Sequence, residues 1–256
     1  MVRAFVFTRA VCRLVLVIAW STVMGVVRIG IMPMRPFRPA AEIALHQRLM
    51  KVWARGCMRC IGMKVDTIGT PPVGAFLFVS NHWTWLDVVV LSSQLGTVFL
   101  SKAEVMKYPL IGQLARLAGT IFITRESLKD IKRVQEQVEE AIQHGHGVVV
   151  FPEGGTSQSG HTEPFRPAML DIAVRNEWPV YYGAIQYRTP EGCPPASEAI
   201  EWRGPVPLLV NAMSVARLPR SYATLHLGEE PMRGTDRKEL AERLTDAVRD
   251  NLKAIP

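Results

Sequence analysis

The chain has 256 residues, of which 48% are hydrophobic, so it can bury a sizeable core and is not an intrinsically disordered protein. That length suits one α/β domain with an appendage and excludes two full enzyme domains. The net charge of +7 is uneven: residues 1–64 hold eleven Lys/Arg against the single acid Glu42, while the remainder holds 19 against 22.

The first element explains where that basic charge belongs. Leu14 to Val27 reads LVLVIAWSTVMGVV, fourteen uncharged residues between Arg13 and Arg28. A nucleic-acid-binding arm has no use for such a run, so the basic segment points to an anionic membrane and not to nucleic acid. Fourteen residues span about 21 Å as a helix, short of the roughly 20 residues that cross a hydrocarbon core. The length favours a helix that enters one leaflet or lies in the interface, with its arginines reaching lipid phosphates. A single span is the alternative. No small-x-small cleavage site follows the run, which argues against a cleaved signal peptide.

Pro33, Pro36 and Pro39 then break the chain. Residues 41–61 predict an amphipathic helix with Ile43, Leu49, Met50, Trp53 and Cys57 on one side and Arg48, Lys51, Arg55 and Arg59 as its basic residues. It either lies on lipid or packs on the next domain. Cys57 and Cys60 have redox-like spacing, but with no second pair they read as two small apolar residues on that helix. Residues 1–64 therefore form an N-terminal basic, membrane-associated helical element.

From residue 65 to 256 the pattern becomes strand–helix alternation. Short apolar runs at 75–80, 97–100, 121–124, 148–151, 180–185 and 224–227 predict strands. One intervening helix begins at the cap Ser127, buries Leu128, Ile131, Val134, Val138 and Ile142, and stops at Gly145. A last helix starts near Asp236 and buries Leu240, Leu244, Ala247 and Val248. The fold class is α/β, with a mixed, largely parallel sheet flanked by helices and an N-terminal helical membrane-anchoring element.

In such sheets ligands gather beyond the carboxyl ends of the strands. Asn81-His82-Trp83-Thr84-Trp85-Leu86-Asp87 follows the first of these runs, Arg125 follows the third, and Pro152-Glu153-Gly154-Gly155-Thr156-Ser157 follows the fourth. His82 and Asp87 would lie about 140° apart on one continuous helix, but they can meet if His82 precedes the helix and Asp87 lies in its first turn. The carboxylate would then accept the Nδ1 proton and leave Nε2 free as a general base. Trp83 and Trp85 bracket that base and either wall the site, anchor at the interface or pack in the core. His144 and His146 read as turn residues, and no metal ligand set is expected. His46, His161 and His226 are isolated.

Four blocks occur in order: Asn81-His82-x4-Asp87, Gly119-Thr120-Ile121-Phe122-Ile123-Thr124-Arg125, Phe151-Pro152-Glu153-Gly154 and Trp178-Pro179-Val180. Over roughly residues 65–230 this arrangement resembles the glycerolipid acyltransferase family, whose best-known members are 1-acyl-glycerol-3-phosphate acyltransferases. The resemblance implies that His82 deprotonates an acceptor hydroxyl that attacks an acyl thioester on coenzyme A or acyl carrier protein, with Asp87 orienting His82 and no acyl-enzyme or cofactor. It implies that Arg125 binds the acceptor headgroup and that Glu153 and Gly154 position its glycerol part. Lys102 is a second candidate cation for phosphate. It also implies an N-terminal two-helix element embedded in one leaflet, at the cytoplasmic face of the bacterial inner membrane.

Thr156 departs from the family pattern, standing where phosphatidic-acid-making members carry an arginine. A phosphomonoester favours arginine forks, and Arg166 is the candidate that compensates. The acceptor is then 1-acyl-glycerol-3-phosphate, slightly favoured, or another lysolipid such as a lyso-ornithine lipid or a lysophospholipid. A non-catalytic membrane lipid-binding protein and a thioesterase are the competing classes. No Gly-x-Ser-x-Gly elbow or phosphate-binding Gly-rich loop supports a hydrolase or nucleotide enzyme.

Overall fold

The computed structural model describes residues 2–124, 128–158, 161–202 and 206–255. The chain opens with helices α1 (Val2–Ile31) and α2 (Pro39–Ile61), joined by a 3-10 turn at Met32–Met34. Strands β1 (Met63–Ile68) and β2 (Phe76–Ser80) lead into α3 (Leu86–Leu95), β3 (Val98–Lys102), α4 (Ile111–Leu117) and β4 (Ile121–Ile123). Then come α5 (Leu128–Gln143), β5 (Gly147–Val150), α6 (Asp171–Arg175), β6 (Val180–Arg188), α7 (Ala196–Ala199), α8 (Leu208–Arg217), β7 (Ser221–Leu227) and α9 (Arg237–Lys253).

Among the described residues the strands form one seven-stranded sheet in the order β1-β7-β6-β2-β5-β3-β4. β6, β2, β5, β3 and β4 pair in parallel, whereas β6 and β7 pair antiparallel and β1 runs parallel to β7. The sheet is thus mixed and mostly parallel. Phe76 to Ser80 of β2 and Gly147 to Val150 of β5 are buried along their whole length. That is the expected state of central parallel strands covered on both faces. The parallel registers put the ends of β2, β5, β3 and β4 along one edge, with Val79 beside Val150, Phe99 beside Val149 and Leu100 beside Ile121.

The helix stripes read from the sequence face the core. Val134, Val138 and Ile142 of α5 and Leu240, Leu244 and Val248 of α9 are buried. Asp236 caps α9, accepting the N–H groups of Lys238 and Glu239 at 2.8 and 2.9 Å. Ser127, expected to cap α5, lies outside the described residues. β1 and α8 were not expected: β1 alternates buried and exposed residues around Lys64 and Asp66, which weakens its apolar signal.

α1 is one unbroken helix from Val2 to Ile31, longer than the fourteen-residue apolar run, and is long and apolar enough to cross a membrane. Three of its arginines, Arg9, Arg13 and Arg28, bond to the rest of the protein. Arg13 donates to Leu218 O at 2.6 Å and to Pro219 O at 3.0 Å, and Arg9 donates to Arg217 O. These carbonyls sit at the carboxyl end of α8, where a cation complements the helix dipole. Arg28 does the same for α4 through Leu117 O at 3.1 Å and forms an ion pair with buried Glu42 of α2. α1 is therefore stitched to the α/β part by its charges.

α2 packs between α1 and α3, which decides between the two positions its sequence allowed. Its buried face carries Glu42 and His46 besides Met50, Ala54, Cys57, Met58 and Ile61. At Gly56 a Cβ would lie 2.1 Å from the Trp20 indole, so only glycine lets α1 and α2 close here. The Trp20 N–H then donates to Trp53 O at 2.9 Å, and the Trp53 N–H donates to Ser21 Oγ at 2.9 Å.

Candidate active site

β2 ends at Ser80, and Asn81 continues its alignment by holding β6. The Asn81 amide donates to Ile185 O at 2.9 Å and accepts the Ile185 N–H at 2.8 Å. This fully buried clamp fixes the point at which the chain leaves the sheet. His82 to Trp85 then form a loop, and α3 starts at Leu86, with Asp87 in its first turn.

This geometry brings His82 and Asp87 together. His82 Nδ1 lies 2.8 Å from Asp87 Oδ2. The same carboxylate oxygen accepts the N–H groups of Trp83 at 2.7 Å and Thr84 at 2.9 Å, which fixes the loop that leads into α3. Oδ1 accepts the Tyr187 hydroxyl at 2.6 Å. A carboxylate can only accept, so the imidazole donates through Nδ1, and in the neutral ring this tautomer leaves Nε2 as the acceptor. Asp87 is fully buried, whereas about a fifth of the His82 side chain is accessible.

The backbone of His82 is gripped from the third block. The Ser157 N–H donates to His82 O at 2.7 Å, and Glu153 Oε2 accepts the His82 N–H at 3.4 Å. The imidazole stacks on Phe151, with ring centroids 4.1 Å apart and planes 15° from parallel, and Phe99 continues the stack. Glu153 is 6% exposed, and its Oε1 has no hydrogen-bond partner. Burial pushes its carboxyl up to about 8, with Asp87 adding a smaller push in the same direction.

His82 opens onto a cavity of about 1330 Å³. Val17, Ser21 and Met24 of α1 and Met50, Trp53 and Cys57 of α2 form its apolar side. Burial raises the Cys57 thiol to about 12, so it acts as an apolar wall residue. Lys102, Thr156 and Arg166 line the polar side. Gly154 also lines it, with φ +83°, and a Cβ there would come within 2.9 Å of the Arg166 guanidinium. Glu153 is not on this wall but sits beneath the His82 backbone. Arg125 lies outside the described residues. Thr156 turns its hydroxyl to Trp202 O at 2.9 Å.

The two tryptophans separate. Trp83 is 2% exposed and packs in the core, its indole N–H donating to His161 O, while Trp85 faces the cavity and donates to Asn211 Oδ1 at 2.9 Å. Sequence reasoning missed Tyr187 and Ser157. Tyr187 is a hundred positions from Asp87, and only the β2–β6 pairing brings it near. Ser157 lies just past the third block and could have been suspected from that adjacency.

A dyad of imidazole and buried carboxylate at the end of a parallel strand, opening onto a large apolar cavity, suits activation of a hydroxyl beside a lipid chain. Comparison with known proteins agrees. A family model described as Acyltransferase matches residues 64–185. The lyso-ornithine lipid O-acyltransferase of Pseudomonas aeruginosa is 32% identical over 244 residues, covering 93% of each chain. That of Rhodobacter capsulatus is 30% identical over 229 residues, covering 85% of this chain and 78% of its own. The 1-acyl-sn-glycerol-3-phosphate acyltransferase of Neisseria gonorrhoeae is 32% identical over 127 residues, half of each chain. The chain belongs to the Acyltransferase family, the class that its fold and site define. Its fold matches the crystal structure of the 1-acyl-sn-glycerophosphate (LPA) acyltransferase PlsC from Thermotoga maritima, with a TM-score of 0.66 over 93% of this chain and 94% of the other at 18% identity.

Proposed function

We propose that this chain is a membrane-associated enzyme that transfers a fatty acyl group from an acyl thioester to the free hydroxyl of a lysolipid. The observation that carries this reading is the His82–Asp87 pair at the mouth of the α1/α2-walled cavity. His82 Nε2 takes the hydroxyl proton as the oxygen attacks the thioester carbonyl, and Asp87 holds the resulting imidazolium. Collapse of the tetrahedral intermediate expels the thiol, which regains a proton from His82, and no acyl-enzyme forms. The outer face of α1 sits in lipid, so the substrate reaches the cavity without leaving the membrane.

The acceptor we favour is a lyso-ornithine lipid over 1-acyl-glycerol-3-phosphate. The Pseudomonas and Rhodobacter relatives, which bear the first name, align over most of this chain, while the Neisseria relative aligns over half of it. Thr156 supports the same choice, since its hydroxyl is bonded to Trp202 O and supplies no cation. An ornithine headgroup is a zwitterion, with one carboxylate and one ammonium, whereas a phosphomonoester carries up to two negative charges and favours arginine forks.

The test is acyl transfer by the full-length protein in detergent or vesicles, with both lysolipids offered in parallel. Turnover should prefer lyso-ornithine lipid and should fall at least about 10²-fold in His82→Ala, the usual worth of a general base. Near wild-type transfer by a folded His82→Ala protein would sink the mechanism. Preference for 1-acyl-glycerol-3-phosphate would reverse the choice of acceptor. Fatty acid release that needs no lysolipid would point to a thioesterase.

A further inference from the structure

A second cleft, of about 510 Å³, lies beyond Arg166. Its walls carry Lys132, Arg166, Arg175 and Arg237, with Asp171 as the acid among its lining residues. Asp171 organises two of the cations: Arg175 Nε lies 3.1 Å from its Oδ2, and Arg237 Nη1 lies 3.3 Å from its Oδ1. Gln135, itself nearly buried, accepts from Arg175 at 3.2 Å and donates to Ala168 O at 2.7 Å, tying this array to the loop that carries Arg166. Two guanidinium groups are thus held side by side on one carboxylate, with Lys132 and Arg166 as further cationic neighbours. Ile131, Arg166 and Ala168 line both this cleft and the active-site cavity. The two spaces therefore share a wall.

We propose that this cleft binds the phosphates of the acyl donor's carrier, a phosphorylated nucleotide of the coenzyme A type, while the thioester passes Arg166 to reach His82. This rests on the acyl-transfer reading above and adds the donor's binding site. The active-site cavity is apolar along α1 and α2 and suits the lipid chain. The cleft offers clustered guanidinium forks, the groups best matched to phosphate oxygens. Its volume falls in the range of about 300–1,000 Å³ that holds small molecules. An acidic carrier protein would instead need a broad surface, on the order of 800 Å² on each partner.

The probe is 3′,5′-ADP, the phosphorylated end of coenzyme A, titrated calorimetrically into the full-length detergent-solubilised protein. It should bind the wild type, and about five- to tenfold more weakly each to Arg237→Gln and Lys132→Gln, since each loses a charge-assisted contact. Both side chains lie at the surface, and an unchanged melting curve verifies the fold. In turnover the same variants should raise KM for acyl-CoA by a similar factor. They should leave KM unmoved for the same acyl group on unphosphorylated pantetheine. Variants that bind 3′,5′-ADP as tightly as the wild type overturn the proposal. So does a KM that rises for acyl carrier protein donors and not for acyl-CoA. Specific 3′,5′-ADP binding by a protein inactive on every acceptor would sink the acyl-transfer reading and leave the cleft assigned.

Discussion

The Tyr187 hydroxyl donates to Asp87 Oδ1 at 2.6 Å, on the oxygen that His82 does not use. Both side chains are buried, and Tyr187 is held neutral by burial and by the neighbouring Asp87 charge, which push its phenol well above the usual range. The carboxylate is thereby gripped at both oxygens, and its plane fixes the plane of the imidazole.

Tyr187→Phe keeps the ring and removes that grip. A hydrogen bond to a charged group contributes about 1.5–3 kcal/mol, and part of that loss will appear as misalignment of His82. Turnover should fall about tenfold, since about 1.4 kcal/mol of barrier is a factor of ten. KM for the lysolipid should stay unchanged, because Tyr187 does not line the cavity. Steady-state kinetics on the folded variant give the answer; a KM effect with intact kcat would assign Tyr187 to the binding of substrate.

Glu153 makes stability depend on pH. Burial raises its carboxyl from the ordinary 4.5 to about 8. The raised group favours the folded state fully below about pH 4.5, and that contribution is lost as pH rises toward about 8. Glu153→Gln has no such proton to lose. Urea unfolding between pH 5 and about 8 should show the wild type weakening relative to Glu153→Gln, by at most about 1.4 kcal/mol for each pH unit crossed. Parallel pH curves for the two proteins would contradict it.

His46 acts at the opposite end of the scale. It is buried, both ring nitrogens lack hydrogen-bond partners, and His146 packs edge-on at 5.6 Å. Burial first, then the Arg28 and His146 charges, lower it from 6.5 to about 3. Its depressed value gives stability that is present above about pH 6.5 and lost as pH falls toward about 3. His46→Leu should resist acid better than the wild type across that window. Equal acid midpoints by circular dichroism would show that His46 is already charged in the folded protein.

The outer face of α1 should decide membrane attachment separately from folding. Leu16 and Val23 are 55% and 52% exposed, whereas Arg13, Ser21 and Arg28 bond inward. Leu16→Glu combined with Val23→Glu should leave the melting curve close to wild type and release most of the protein from membranes in high salt. Full sedimentation with membranes would place the anchor elsewhere. Deleting α1 is the poorer test, because it also uncaps α8 and leaves Glu42 without Arg28.

The chain's local patterns determined the α/β class, the capped start of α9 and the apolar character of α1, and they set His82 and Asp87 at a spacing that lets them meet where a loop precedes the helix. Each depends on residues a few positions apart, where period, cap and loop geometry leave few choices. Tertiary structure alone decided that Arg9, Arg13 and Arg28 of α1 cap the distant helices α8 and α4, that Tyr187 grips Asp87, and that Glu153 lies under His82. It also decided that Lys132, Arg175 and Arg237 share one cleft. These pairings arise from sheet order and helix packing. A carboxyl end of a helix attracts any cation within reach, so nothing in the local sequence of Arg13 says which carbonyls it will meet.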